Sequence, residues 1–384
     1  MTDFRLVKPE ELQEAVRLSD ATFRDEEQKS MGEGFPNVFS PSLQQSYGAF
    51  TDGKLVAFMG LVPAVLRVGA ARLDVFQLGS VCTDPAYRGQ GLASGMLQEV
   101  IGHAGRSGAS LLLVSGGRSL YTNAACCGYG SVARYTLTPA SLQNAEAAVL
   151  ASEGTVFREL EPTDLLALHA LAEARPVRYD QSAADLAQLL QAEAYGSCVK
   201  LRHRVLLAER DGRLTAFAVI GVPYREGLKN PPRVIEWAGD AQAAAALFAD
   251  ATGTFGLERL VVPVPWHERG LAAAVAPLAE NQEPEPSYHT LKILSAERLF
   301  LQLAPFFEER GAGAEAGPPA ARDLEDGRFE LRLSGGEART LAPEELISLL
   351  FDPEPKPGAA AEIREAYPAL LPVPLPYNQG LNYV

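Results

Sequence analysis

The chain has 384 residues, 47% hydrophobic and 21% charged, which is enough apolar material for several cores and points to two or three domains. Its net charge of −14 argues against nucleic acid as the main partner, since phosphates would be repelled. Four cysteines (Cys82, Cys126, Cys127, Cys198) are too few and too unevenly spaced for a disulfide framework. The Cys126-Cys127 pair has no histidine cluster beside it, so no metal is expected. Neither a signal peptide nor an apolar run of 18 residues is visible, and the expectation is a cytoplasmic protein without a membrane partner.

Residues 3–8 read as a strand, and Pro9 to about Ala21 as a helix. Tyr47–Leu66 alternates well enough for two strands joined at Asp52-Gly53, a strong hairpin signal. Ala71–Thr83 is a further strand, Gly91–Ser107 a helix, Ser110–Ser115 a buried strand and Ser119–Cys126 a short helix. Residues 129–138 close this part as a final strand. The order β-α-β-β-β-α-β-α-β predicts a mixed sheet in an α/β fold.

The most informative stretch lies between the fourth strand and its helix. Arg88-Gly89-Gln90-Gly91 gathers backbone N–H groups at a helix N-terminus, where aligned peptide dipoles favour an anion. Glycine lets phosphate oxygens approach the main chain closely. A bare glycine-rich turn is the competing reading, but it would leave these donors unsatisfied.

The same order of elements returns after a linker. Phe157–Leu160 reads as a strand, Glu161–Glu173 as a helix, and Val205–Val222 as a hairpin turning at Asp211-Gly212. Arg233–Trp237, Ala241–Thr254, Leu257–Pro263 and His267–Leu278 then read as strand, helix, strand and helix. Glu236-Trp-Ala-Gly-Asp240 stands where an anion loop would be needed, so this unit reads as a duplicate without that site, or as an unrelated α/β domain. Farther on, Ser295–Arg310 is an amphipathic helix, Gly311–Ala320 a flexible loop, and Arg328–Leu333 with Ala338–Leu341 a hairpin around Ser334-Gly335-Gly336. Ala342–Phe351 is a helix, and Pro368–Val384 an extended tail too apolar to remain in solvent.

Arg88-Gly89-Gln90-Gly91-Leu92-Ala93 satisfies the signature R/Q-x-x-G-x-G/A, after a strand and before a helix. On this and the order of elements, residues 3–138 resemble the GCN5-related N-acetyltransferases. The three-part layout resembles the Eis-type (enhanced intracellular survival) acetyltransferases. It implies a catalytic domain at 1–140, a degenerate copy at 155–290 and a small α+β sterol-carrier-like domain at 291–384.

The resemblance implies acetyl-CoA as co-substrate, entering where strands four and five splay apart. The pantetheine arm would pair with backbone at Ser80, Val81, Cys82 and Thr83. The pyrophosphate would sit on Arg88, Gly89, Gln90, Gly91, Leu92 and Ala93, with Gly116 and Gly117 close to the cofactor. Tyr121 matches the family's proton-donating tyrosine, four residues before a Gly-Phe pair. Here Ala125 and Cys126 replace that pair, so the local turn is expected to differ, and a tyrosine merely packed at a helix start is the alternative. The Eis-type resemblance also implies that the α-carboxylate of Val384 serves as the base; a tail that only covers apolar surface is the alternative. Phe23 and Asp25 fall near positions that line the acceptor pocket and would suit an alkylammonium, although an ordinary charged helix end reads the same. His103 is expected to face solvent, and Cys82 to pack in the core.

The function expected is N-acetyl transfer to a primary amine of a cationic small molecule or lysine-like acceptor, by direct attack in a ternary complex. The alternatives are an acyl-CoA sensor or apolar-ligand carrier without turnover, and transfer of a longer acyl group. Eis-type relatives associate, so the resemblance leaves a homo-oligomer open.

Overall fold

The structure, a computed structural model, describes residues 2–144, 154–285, 289–311, 319–333 and 338–384. The chain folds as two compact units, one built from Met1–Gly130, Tyr288–Pro376 and Val384, the other from Ser131–Ser287 and Tyr377–Tyr383. The units meet at residues 130–131 and 287–288, where the sequence reading places boundaries near 140 and 290.

The first stretch contributes β1 (Thr2–Leu6), α1 (Leu12–Phe23), α2 (Met31–Gly34), β2 (Tyr47–Thr51), β3 (Lys54–Val68), β4 (Ala71–Thr83) and α3 (Leu92–Arg106). It ends with β5 (Leu111–Val114), α4 (Ser119–Thr122) and β6 (Cys127–Gly128). Asp52 (φ 49°) and Gly53 (φ 82°) both lie in the left-handed region that a tight hairpin turn requires, and they join β2 to β3 as expected. Helix α3 buries Met96, Leu97, Val100 and Ala104 against Met59, Leu61, Leu78 and Leu112 of the sheet. Each large side chain in that layer contributes roughly 1.5–3 kcal/mol.

The second stretch contributes β7 (Val132–Leu137), α5 (Pro139–Asn144), β8 (Thr155–Glu159), α6 (Leu165–Glu173), β9 (Val177–Tyr179), α7 (Ala183–Ala192) and α8 (Ala194–Cys198). These are followed by β10 (Leu201–Arg210), β11 (Arg213–Pro223), β12 (Arg233–Gly239), α9 (Ala241–Thr254), β13 (Leu260–Pro265), α10 (Arg269–Val275) and β14 (Asn281–Pro284). The last stretch holds β15 (Thr290–Ile293), α11 (Ala296–Glu309), β16 (Ala320–Asp323), β17 (Phe329–Arg332), β18 (Arg339–Leu341), α12 (Pro343–Phe351) and α13 (Ala359–Ala366). Residues 312–318 and 334–337, expected as a flexible loop and a hairpin turn, lie outside the described residues.

The two large sheets share one topology. The first runs β1-β2-β3-β4-β5-β15-β6 and the second β8-β10-β11-β12-β13-β7-β14. In each, one central pair is parallel, β4 with β5 and β12 with β13, and its neighbours are antiparallel. Residues 129–138 do not close the first sheet. β7 pairs with β13 and β14 in the second sheet, while β15 inserts between β5 and β6 in the first. The fold is therefore mixed α/β with two related sheets, as expected for a duplication.

Candidate active site

The ladder between β4 and β5 is short. It runs from Val75 opposite Leu111 to Leu78 opposite Val114, and the bond from the Ser115 N–H to the Leu78 carbonyl (2.9 Å) is its last. β4 continues for five more residues to Thr83. On its other side, Gly79 pairs with Gly60 and Cys82 with Phe58, so that Ser80 and Val81 together oppose Met59. Ser80 sits at φ 52° in this bulge. An extra residue bends a strand and increases its twist, which carries β4 away from β5 and opens the sheet at Gly79–Thr83.

Beyond the opening, Asp84 caps a 3-10 turn at Pro85–Tyr87 by accepting the Ala86 N–H (3.0 Å), and it also pairs with Lys54 (3.0 Å). Arg88 Nε donates to the Thr83 carbonyl (3.3 Å), tying the loop to the strand end. Gly89 and Gly91 both have φ 76°, and a β-carbon on either would meet nothing within 4 Å. Glycine is favoured there by the backbone angle, and the space beside it is open. Gly91 is the N-cap of α3 and offers no side-chain acceptor to the N–H groups of the first turn, which include those of Leu92 and Ala93. The expected loop residues are thus together, with Arg88, Gly89, Gln90 and Gly91 exposed, Leu92 buried and Ala93 half-buried.

The opposite lip starts at Ser115. The Tyr121 ring lies on Gly116, where a β-carbon would stand 2.8 Å from Cε2. Glycine at 116 therefore makes room for this ring. Gly117, next in the chain, is exposed. Tyr121 is buried, and burial pushes its hydroxyl up to about 12. The Tyr121 carbonyl accepts N–H groups from Ala124 (2.9 Å) and Cys126 (3.0 Å), and Ala125 between them adopts φ 58°. A left-handed alanine explains why glycine would suit position 125.

Three residues that sequence reasoning passed over complete this lip, one just before β15 and two within it. Thr290 Oγ1 donates to the Gly116 carbonyl (2.8 Å), Lys292 Nζ donates to the Ala124 carbonyl (2.9 Å), and buried His289 hydrogen-bonds the Val114 backbone. No local signal marks them, because β15 reaches this place only by pairing with a strand far upstream.

Val384 is buried in the first unit, and its carbonyl group lies where a β-carbon on Gly79 would collide with it. Val384 therefore stands against Gly79, the first residue of β4 beyond its ladder with β5. In the second unit, the preceding segment is fixed by Tyr377 on Arg233 (2.9 Å), Asn382 on Gln181 (3.2 Å), Leu381 in the core and Tyr383 edge-on to Tyr195.

The remaining candidates separate. Helix α1 packs its end on β4, with Ser19 Oγ 3.6 Å from Cys82 Sγ. Burial pushes the Cys82 thiol up to about 11, so it is neutral packing, as expected. Phe23 closes α1 and is 40% exposed. Asp25 follows it in a turn, where its carboxylate accepts the Glu27 N–H (3.0 Å). That contact gives Asp25 a local structural task whatever else it binds. Phe35 is buried, with the Arg24 guanidinium 5.5 Å from its ring centre. His103 does not face solvent as expected. It lies seven residues after Met96, on the same face of α3, and binds Gln45 (2.7 Å) and Tyr47 (3.3 Å). Among the described residues there is no cluster suited to a metal, and no helix is long and apolar enough to cross a membrane.

Residues 3–126 match the acetyltransferase (GNAT) domain family, a span that stops just before the exchanged strand β7. No curated protein matches the sequence. Among solved structures, the chain is similar to a probable N-acyltransferase of unknown function from Enterococcus faecalis V583, with TM-score 0.63 and 13% identity over 89% of this chain and 85% of that one. It is similar to a GCN5-related N-acetyltransferase from Anabaena variabilis ATCC 29413, with TM-score 0.64 and 13% identity over 91% and 89%. It is also similar to Eis1 from Mycobacterium abscessus, with TM-score 0.59 and 13% identity over 91% and 89%. At such identity these likenesses establish the fold.

Proposed function

We propose that the first unit binds acetyl-CoA in the opening between β4 and β5 and transfers the acetyl group to a primary amine by direct attack. The carrying observation is the ladder that stops at Leu78–Val114 while β4 runs on to a glycine loop at an uncapped helix N-terminus. Those N–H groups and the α3 dipole suit a diphosphate. The free edge of Ser80–Thr83 suits a pantetheine arm pairing as an extra strand, and holding amine and thioester together supplies most of the acceleration. Phe23 and Asp25 belong to the acceptor side, near the end of α1, which suits a cationic small molecule or a lysine-like group.

Two proton movements need groups. A lysine-like ammonium, with a pKa of ~10.4, costs roughly 4.6 kcal/mol to deprotonate at pH 7. The α-carboxylate of Val384 is assigned to accepting that proton, directly or through water. Tyr121, held protonated at about 12, is the donor toward the departing sulfur. Since a thiol has a pKa of about 8.5, full transfer from the phenol would be uphill by roughly 5 kcal/mol, so Tyr121 stabilises the sulfur as a hydrogen-bond donor. The rate should therefore climb from pH 7 toward 10 as the acceptor loses its proton, with no alkaline limb from Tyr121 below about pH 11.

Thiol release from acetyl-CoA, followed across polyamines, aminoglycosides and lysine peptides, tests the reading. Acceptor-dependent release supports it. Coenzyme A binding without any such release would instead identify an acyl-CoA sensor. Deleting residues 381–384 should abolish transfer with cofactor affinity intact; unchanged turnover removes Val384 from the mechanism.

A further inference from the structure

The segment between Ser115 and Cys126 carries Gly116, Gly117 and Tyr121, and its own backbone hydrogen bonds lie within residues 118–126. These bonds form α4 and then a tight turn closed by the Ala124 and Cys126 N–H groups on the Tyr121 carbonyl. That turn passes through Ala125 at φ 58°, a conformation that costs a residue with a β-carbon roughly 1–2 kcal/mol. Side chains from outside the segment also hold its two ends. Thr290 and Lys292 lie two residues apart on β15 and so project from the same face of the strand. Their side chains reach the carbonyls on either side of Tyr121, Gly116 at 2.8 Å and Ala124 at 2.9 Å. Gly116 itself lies against the Tyr121 ring, and the Ala124 N–H donates to the Tyr121 carbonyl. The lysine bond is charge-assisted, which makes it stronger than a neutral pair and well placed to offset the strain at its neighbour.

We propose that Thr290 and Lys292 are positioning residues that fix the Tyr121 hydroxyl toward the opening of the first sheet. The strand exchange is what provides them: β15 lies between β5 and β6, a place from which one face reaches both ends of the tyrosine-bearing turn. This assignment rests on the reading of Tyr121 as the donor to the departing sulfur.

The test combines a rate cycle with a spectrum. Thr290→Val removes the hydroxyl with little change of shape, Lys292→Met removes the ammonium and keeps the stem, and Tyr121→Phe removes the donor. With acetyl-CoA and the acceptor that releases thiol fastest, T290V and K292M should each lower kcat about 5- to 30-fold, leave coenzyme A affinity within about twofold, and have no further effect in a Y121F background. Thr290→Ser should restore the rate. Equal losses with and without Tyr121 would overturn the proposal. If Y121F turns over like the parent, the donor role of Tyr121 falls, and a second readout still decides the positioning. With 3-fluorotyrosine at position 121, the fluorine resonance should shift or broaden in T290V and K292M and recover in T290S. A resonance unmoved in both variants overturns the positioning role.

Discussion

In the first sheet, β4 leads through Thr83 into a loop whose Gly91 begins α3 without a side-chain cap. In the second, β12 leads through Gly239 straight to Asp240, whose carboxylate accepts the Ala243 N–H at 2.9 Å and caps α9. The strands beside these helices also differ. β12 pairs with β13 only at Arg233–Val261. Arg233 is held there by Tyr195 (2.9 Å), Tyr377 (2.9 Å) and Glu285 (3.2 Å), and Leu381 is buried with Ile235. The second sheet thus has the strand order of an anion site, but a carboxylate occupies its helix N-terminus and its own side chains line β12. Topology sets where a cofactor could enter; the N-cap residue and the loop length decide whether an anion is welcome.

The largest effect should come from giving the first unit the second unit's cap. Gly91→Asp places a carboxylate on the first turn of α3, at a left-handed position that Asp tolerates better than most residues. Coenzyme A affinity should fall at least a hundredfold, roughly 3 kcal/mol or more, with no loss of melting temperature. Calorimetric titration reads the affinity, and undiminished binding would break the comparison.

The exchanged strands differ as well, and pH exposes it. β15 opens with Thr290 opposite Val114 at the end of β5 and is preceded by His289, whereas β7 opens with Val132 opposite Pro265 and is preceded by Ser131. Burial pushes His289 down to about 4 from its ordinary 6.5. Below pH 6.5 the unfolded chain takes up a proton that the native state refuses, so stability falls with pH down to about 4. Beyond that point both states are protonated and this group adds no further loss. The total is about 3 kcal/mol. Urea unfolding at pH 7, 5.5 and 4 should show that loss, and His289→Gln should flatten it. A slope identical in the variant would remove His289 as its cause.

What the sequence made legible was local. Asp52-Gly53 and Asp211-Gly212 gave their hairpins because both residues of such turns need positive φ, and the helix expected at Ala241–Thr254 has those bounds, with Asp240 as its cap. The glycine loop was legible for the same reason. The exchange was not: residues 129–138 alternate like a strand of either sheet, and nothing in Val132–Leu137 says that β13 is its partner. Nothing local ties Thr290–Ile293 to its distant partner Leu111–Val114, so Thr290 and Lys292 went unnoticed beside Tyr121. Helices Ala183–Ala192 and Ala359–Ala366 were missed too. His103 was misplaced because one polar residue on an apolar helix face reads as surface until Gln45 and Tyr47 are seen to bind it.

A smaller perturbation sharpens the contrast at the β4 opening. Gly79→Ala adds the β-carbon that Val384 now excludes. The last residue should be displaced, and kcat should drop about tenfold, about 1.4 kcal/mol, with coenzyme A affinity little changed. Carboxypeptidase digestion should also remove Val384 faster than in the parent. Resistance unchanged from the parent would mean that the tail accommodates the methyl group and that Gly79 is not what seats it.

The reciprocal change in the second unit should have the least effect, and it separates the cap from the rest of the cleft. Asp240→Ala deletes one capping bond on α9, which costs about 1 kcal/mol of stability and a few degrees in melting temperature. It leaves Gly239 followed at once by the helix, with no loop of the kind that spans residues 84–91, and leaves Arg233, Tyr195 and Tyr377 in place along β12. The variant should therefore gain no second coenzyme A site, and titration should still saturate at one equivalent. A second equivalent bound by D240A would show that the cap alone had closed the second unit, and that the loop and the filled strand edge matter less than the contrast between the two sheets implies.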